Sequence, residues 1–226
     1  MRLSKRLALL CDMVEPGSKV CDVGTDHGYL PAFLYKLGKC ESICATDIRE
    51  KPLKSAEKNL SAFGAKEVKL CLCDGLDLIT RDMADTVIIA GIGGEVISGI
   101  IDRSAFLRDE TVTLILQPTT GAHRLRDYLA KSGFLVVCEK AVEDNGKLYS
   151  IMKCVFAGAS YPIDAKRRVI GVIRPDYPEG RAYIEKQYLI AAKRVEELEN
   201  TEKNAVCYEK SRRLAAELKK LLDKEI

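Results

Sequence analysis

The segment Val20-Cys21-Asp22-Val23-Gly24-Thr25-Asp26-His27-Gly28-Tyr29-Leu30-Pro31 sets two carboxylates, Asp22 and Asp26, around a glycine corner. Glycine there lets a chain turn sharply from strand to helix and approach a ligand closely. A pyrophosphate would need a cradle of N–H groups at the helix start, and carboxylates beside it would repel it. Acids at this corner suit a cation instead. Asp47, followed by Ile48, comes roughly 20 residues after Gly24, the distance expected for an acid that receives two ribose hydroxyls. Asp74-Gly75 ends a third apolar run, where the acid can accept an adenine amino group and the glycine leaves room for the ring. Each acid alone would more often cap a helix or solvate a loop. Three at the ends of consecutive strands favour a nucleoside ligand with positive charge and no phosphate, and S-adenosylmethionine, with its ammonium and sulfonium, has that chemistry.

A fourth apolar run ends in Ile89-Ala90-Gly91-Ile92-Gly93-Gly94-Glu95. Gly91, Gly93 and Gly94 offer little side-chain bulk, so this stretch reads either as a flexible turn or as a floor that lets an acceptor approach the methyl group. The cofactor-binding set expected from the sequence is therefore Asp22, Gly24, Thr25, Asp26, Gly28, Asp47, Ile48, Asp74, Gly75, Gly91 and Gly93.

The elements that position these residues follow from hydrophobic patterning. Residues 1–157 alternate β-branched runs with helical periods, the signature of a parallel sheet wound with helices. Seven strands are expected at Lys19–Gly24, Ser42–Ile48, Val68–Asp74, Thr86–Ala90, Thr111–Gln117, Phe134–Lys140 and Leu148–Phe156. The Glu143–Lys147 stretch contains Asn145-Gly146, a strong hairpin signal, so the seventh strand should run antiparallel beside the sixth. The fold class is α/β, a class I methyltransferase-like (Rossmann-like) sheet.

Residues 158–226 form a second unit. Gly158–Glu179, with Pro162, Pro175 and Pro178, reads as a connector. Ile184, Tyr188, Ala191, Val195 and Leu198 then repeat at steps of four and three, and Cys207, Ser211, Leu214, Leu218 and Leu221 continue the rhythm after a polar break at Asn200–Asn204. That is the seam of a coiled coil, expected as an antiparallel helical hairpin. An oligomerisation arm or a solvated cap would show the same seam.

Composition excludes several classes. No stretch approaches the roughly 20 apolar residues of a membrane span, and the start of the chain lacks a signal-peptide pattern, so a cytoplasmic protein is expected. Most of the nine cysteines sit in apolar runs and read as core. With two histidines and no Cys-x-x-Cys pair, no metal is expected. Net charge is +3, and all of the excess lies in the second unit: residues 1–157 carry 21 basic and 21 acidic residues, residues 158–226 carry 15 and 12.

Leu3-Ser4-Lys5-Arg6-Leu7, the Asp22–Pro31 turn with its Gly-Thr-Asp-His, Ala90–Gly94, Leu114-Ile115-Leu116-Gln117-Pro118 and Glu143–Ile151 together resemble the bacterial TrmK family of tRNA (adenine-22-N1)-methyltransferases. The resemblance implies methyl transfer from S-adenosylmethionine to N1 of an adenine in the tRNA D-arm, leaving S-adenosylhomocysteine. Members commonly follow Gln-Pro with Asn, where this chain has Thr119-Thr120. Under this resemblance Asp26, His27, Gln117 and Pro118 are the candidate catalytic residues. Gln117 would offer its carbonyl to the adenine amino group, Asp26 would stabilise the cationic product, and Tyr29 and Gly94 would meet the base. His27 is equally readable as a structural loop residue, and His123 as a helix-surface residue. Arg2, Lys5, Arg6, Arg167, Arg168, Lys193, Arg194, Lys210, Arg212 and Arg213 are candidates for tRNA phosphate contacts, though each singly reads as a solvated charge. No Asp/Asn-Pro-Pro-aromatic segment follows the fourth strand, which argues against N6 chemistry. A monomer is expected. A small-molecule methyltransferase, a non-enzymatic nucleotide sensor and a nicotinamide oxidoreductase are the rival readings, the last disfavoured by the acids at the first turn.

Overall fold

The computed structural model describes residues 3–199 and 205–223. Seven strands, β1 (Lys19–Val23), β2 (Ser42–Asp47), β3 (Lys69–Leu72), β4 (Thr86–Ile92), β5 (Thr113–Pro118), β6 (Phe134–Asp144) and β7 (Lys147–Phe156), form one sheet in the order β3-β2-β1-β4-β5-β7-β6. β1 to β5 pair in parallel, and β7 lies antiparallel between β5 and β6. The strand order reverses at β1, which neighbours both β2 and β4, and an open parallel sheet holds its ligand at the carboxyl ends beside such a reversal.

The central strands are covered on both faces, which is why they read as unbroken apolar runs. Cys21, Val87, Ile89, Leu114 and Leu116 face one layer, closed by α4 (Gly94–Arg103) and α5 (Ala122–Lys131) through Ile97, Ile101, Leu125 and Leu129. Val20, Ile88 and Ile115 face the other, closed by α1 (Lys5–Met13), α2 (Tyr29–Leu37) and α3 (Glu50–Ala62) through Leu10, Leu30, Leu34 and Leu60. Cys21, Cys44 and Cys154 are buried in these layers, and all nine cysteines are free.

The strand ends depart slightly from expectation. β4 continues to Ile92, and β6 runs to Asp144 because the turn at Asn145-Gly146, both at positive φ (50° and 71°), is tight enough to keep the hairpin paired to its tip. The expected connector is not wholly irregular. It carries α6 (Ala165–Ile170), capped by Asp164, whose carboxylate accepts the Arg167 N–H. Pro178 then opens α7 (Pro178–Glu199), a first-turn position where its missing N–H costs nothing.

α7 and α8 (Ala205–Leu222) form the hairpin. Arg181 Nη2 at the start of α7 donates to the Leu222 carbonyl at the end of α8, at 2.8 Å, so the two run antiparallel. The polar break at Asn200–Asn204 lies outside the described residues. Ile184, Ala191 and Leu218 of the expected seam are buried, together with Tyr183, against Ala141, Ile170 and Ile173, so the base of the arm packs on the sheet edge. A buried ion pair fixes that joint. Arg126 of α5 meets Glu139 of β6 at 2.6 Å, and its guanidinium also donates to the carbonyls of Arg168 and Val169 (both 3.0 Å) and to Tyr183 Oη at 3.2 Å. Among the described residues no helix is long and apolar enough to cross a membrane, and no three His, Cys, Asp or Glu residues are grouped to hold a metal ion.

Candidate active site

A cavity of about 520 Å³ lies over the carboxyl ends of β1, β2 and β4. Asp22, Gly24, Thr25, Asp26, Asp47, Ile48, Asp74, Gly75 and Gly91 of the expected cofactor set line it, with His27 and Tyr29 at its edge. Gly28 shapes the turn without lining the cavity. At φ +69° it takes a left-handed backbone, and a Cβ there would stand 2.9 Å from Ala56 Cβ of α3. Asp26 shares the left-handed region at φ 52°, a conformation Asp tolerates better than most residues.

Asp22 is buried, 5% exposed, and burial pushes its carboxyl up to about 6, with the Thr25 hydroxyl and then the Arg6 guanidinium acting against the shift and Asp47 adding to it. Asp47 is equally buried and preorganised: its carboxylate accepts the Arg49 N–H at 2.9 Å and the Asp26 N–H at 3.3 Å. Oxygen lone pairs remain for a ligand's hydroxyls. Asp74 is exposed and ion-paired to Arg103 at 3.1 Å. Thr25 Oγ1 is buried and faces the Asp22 carboxylate without a well-formed hydrogen bond to any described residue, so it stays available to a bound polar ligand. A buried carboxylate only partly offset by Thr25 and Arg6, a second one held open for hydroxyls and a hydroxyl without a well-formed hydrogen bond fit S-adenosylmethionine, whose ammonium, ribose and adenine would fall to Asp22, Asp47 and Asp74 respectively.

His27 is placed between two partners. Its Nδ1 shares a hydrogen bond with Ser55 Oγ at 2.9 Å, and its Nε2 lies 3.4 Å from Asp26 Oδ2, with the Tyr29 ring centroid 5.7 Å away. Asp26, His27 and Tyr29 are exposed at the mouth, and Ser55 is half-buried.

Expectations at the ends of β4 and β5 are corrected. Gln117 does not present its carbonyl to a base: it is fully buried, and Oε1 accepts from Arg6 Nη1 at 2.7 Å and from the Gly91 N–H at 3.1 Å. Pro118 closes β5 and lines the space on the arm side rather than the cofactor cavity. Gly93 and Gly94 do not line the cavity either. Gly94 is small because α4 abuts the next turn, where a Cβ would come 2.8 Å from the Gly121 carbonyl, and a Cβ on Gly93 would meet Thr120 Oγ1 at 3.4 Å.

A larger space of about 1190 Å³ opens beyond the end of β5, between the Thr119–Gly121 turn, α6 and the arm. Arg168, Arg194, Lys210 and Arg213 line it, joined by Lys186, which sequence reading passed over. Arg168 is held by Asp127 at 2.7 Å and Arg213 by Glu217 at 3.1 Å. Arg167, Lys193 and Arg212 point elsewhere; Lys193 and Arg212 pair with Glu197 and Glu209 on their own helices. Lys5 is exposed on α1 and lines neither space, whereas Arg6 turns into the cofactor cavity. Arg2 lies outside the described residues. His123 is exposed on α5, as expected.

A seven-stranded sheet of this order with an acid-lined cavity at its reversal is the architecture of class I methyltransferases. Residues 3–152 match the methyltransferase-domain family, and the chain belongs to it. Among its relatives is the tRNA (adenine(22)-N(1))-methyltransferase of Bacillus subtilis, 31% identical over 153 residues, which cover 67% of this chain and 64% of the relative. The chain thus matches just under two thirds of that protein's length. A solved structure of a candidate tRNA (m1A22) methyltransferase from Streptococcus pneumoniae superposes with a TM-score of 0.82 at 29% identity, covering 98% of this chain and 100% of its own. The same protein in complex with S-adenosyl-L-methionine gives 0.80 at 30% identity over 98% and 100%. The resemblance read from the Gly-Thr-Asp-His turn and its companion motifs is borne out by these relatives, and the structural likeness extends past residue 152 through the arm.

Proposed function

We propose that this protein transfers a methyl group from S-adenosylmethionine to N1 of an adenine in tRNA, adenine-22 of the D-arm, as a cytoplasmic monomer. Residues 1–157 act as the catalytic unit and residues 158–226 as connector and RNA-binding arm. One juxtaposition supports this reading above all. Gly91 and Ile92 line the acid-rich cavity, and the Ile92 carbonyl accepts the N–H of Thr119, which lines the basic groove, at 2.8 Å. A single turn separates the methyl-donor site from a cleft suited to a polyanion, and a small-molecule enzyme needs no such cleft.

When bound, S-adenosylmethionine supplies an activated methyl group on a good leaving group, so orientation is the chief task left to the protein. Asp22 and Asp47 hold the donor's ammonium and ribose, and Asp74 addresses its adenine. Gly91 leaves space for the acceptor ring. The adenine N1 lone pair is neutral and needs no base. Methylation makes the ring cationic, and Asp26, 3.4 Å from His27 Nε2, offers negative charge at the mouth. Lys186, Arg194 and Lys210 steer the tRNA backbone along the groove.

Incubation with unmodified tRNA and methyl-labelled cofactor tests this: label enters the RNA, and tRNA affinity falls steeply with added salt. A protein that binds the cofactor yet labels no tRNA would overturn the reading.

A further inference from the structure

Three motifs set apart from the acid-bearing strand ends, Leu3–Leu7, Leu114–Pro118 and Glu143–Ile151, meet at one side chain. Arg6 reaches from α1 so that Nη1 donates to Gln117 Oε1 at 2.7 Å, while Nε stands 3.9 Å from Asp144 Oδ2 at the β6–β7 tip. Gln117 cannot turn toward a substrate. Its Oε1 also accepts the Gly91 N–H at 3.1 Å, and its Nε2 donates to the Pro118 carbonyl at 3.0 Å. Gly91 sits at φ +82°, in the interval where the β4–β5 register shifts, and a Cβ there would be 4.0 Å from Arg6 Nη1. The guanidinium therefore borders the cavity at the very turn that separates it from the groove.

We propose that Arg6 is a positioning residue for methyl transfer, acting through Gln117 to fix the Gly91 turn and hence the wall against which the acceptor base is set. The proposal rests on the methyltransferase reading above. The bond from a guanidinium to a buried amide oxygen is charge-assisted and about twice as strong as a neutral one, so it locks the Gln117 rotamer that also holds the Gly91 N–H. Asp144 adds a longer-range attraction on the Nε side of the same fork. Lysine has one point of charge and cannot span both partners in fixed geometry. Without Arg6 the Gly91 turn is free to relax, and displacement of a reacting group by about 1 Å costs on the order of 100-fold in rate.

The test uses the full chain at about pH 8, well above the value of about 6 to which burial raises the Asp22 carboxyl. Arg6→Ala and Arg6→Lys are compared with wild type for cofactor Kd, kcat and KM on unmodified tRNA, and melting temperature. The expected result is a kcat about 100-fold lower in both variants, with the KM for tRNA little changed and cofactor Kd altered by far less than kcat. Added guanidinium ion should restore activity to Arg6→Ala and not to Arg6→Lys, whose side chain fills the space, a response that a purely structural role would not give. Asp144→Asn, which leaves Arg6 in place but unanchored, should lower kcat in the same direction and by less. Unchanged kcat in both Arg6 variants would overturn the proposal. So would a defect confined to KM with a salt slope reduced by about one, because Arg6 would then be a phosphate contact. A natively melting Arg6→Ala that guanidinium cannot rescue would overturn it too. If wild type itself transfers no methyl to tRNA, the underlying reading fails instead.

Discussion

Asp22 places affinity for a cationic cofactor in opposition to stability of the fold, and the opposition is measurable. Its carboxyl is 5% exposed and burial pushes it from 3.8 up to about 6. As pH falls through about 6 the ligand-free protein takes up a proton there and loses the charge that faces the donor's ammonium. If binding requires the carboxylate, the apparent Kd rises about tenfold between pH 7 and pH 5, equivalent to roughly 1.4 kcal/mol. Asp22→Asn should bind about 10- to 100-fold more weakly at pH 7, from loss of a charge-assisted hydrogen bond, and its Kd should not vary over this range. The sign reverses for stability. A carboxyl whose folded pKa is raised destabilises the fold above that pKa, here by at most about 3 kcal/mol, and the penalty fades as pH falls from about 6 toward 4. Ligand-free Asp22→Asn should therefore melt higher than wild type at pH 7, with the gap closing in acid. Calorimetric titration at constant ionic strength, with melting curves on the same samples, reads both effects. An equal Kd for wild type at pH 5 and 7, or the same slope in Asp22→Asn, would refute the reasoning.

Other outcomes follow from the geometry. Arg126→Met alone should lower stability by about 3–5 kcal/mol, because it strands Glu139 without a partner, whereas Arg126→Met with Glu139→Leu should recover most of that in chemical denaturation. Gly28→Ala combines a left-handed backbone with a contact at 2.9 Å, and should lose both cofactor binding and melting temperature, while Gly17→Ala, at φ +81° with open space, should lose less. Neutralising Lys186, Arg194 and Lys210 together should reduce the slope of log affinity against log salt by about three for tRNA and leave cofactor Kd unchanged, as followed by filter binding and calorimetry.

The sheet was legible because each central strand is buried on both faces and reads as an unbroken apolar run. The acids were legible because their spacing tracks the strand ends. What escaped were contacts made across long sequence separations. Gln117 at a strand end looked like a side chain free to meet substrate, and only the fold brings Arg6, 111 residues away, onto its carbonyl. Arg126 looked like an ordinary helical charge, yet its place beside Leu125 and one turn from Leu129, on the apolar face of α5, was a signal that it is buried. The arm's charges could not be sorted by sequence, since which of Lys186, Lys193 and Arg212 faces the groove depends on how the hairpin docks. The six residues of α6 were too few for a helical period to register against three nearby prolines.

The most direct measurement is to methylate unmodified tRNA with this protein and map the modified nucleotide by mass spectrometry of nuclease fragments. The account predicts one added methyl, on N1 of adenine-22 in the D-arm, and its loss in Asp47→Ala. A methyl group on another atom or base, or none from protein that retains S-adenosylmethionine, would contradict it.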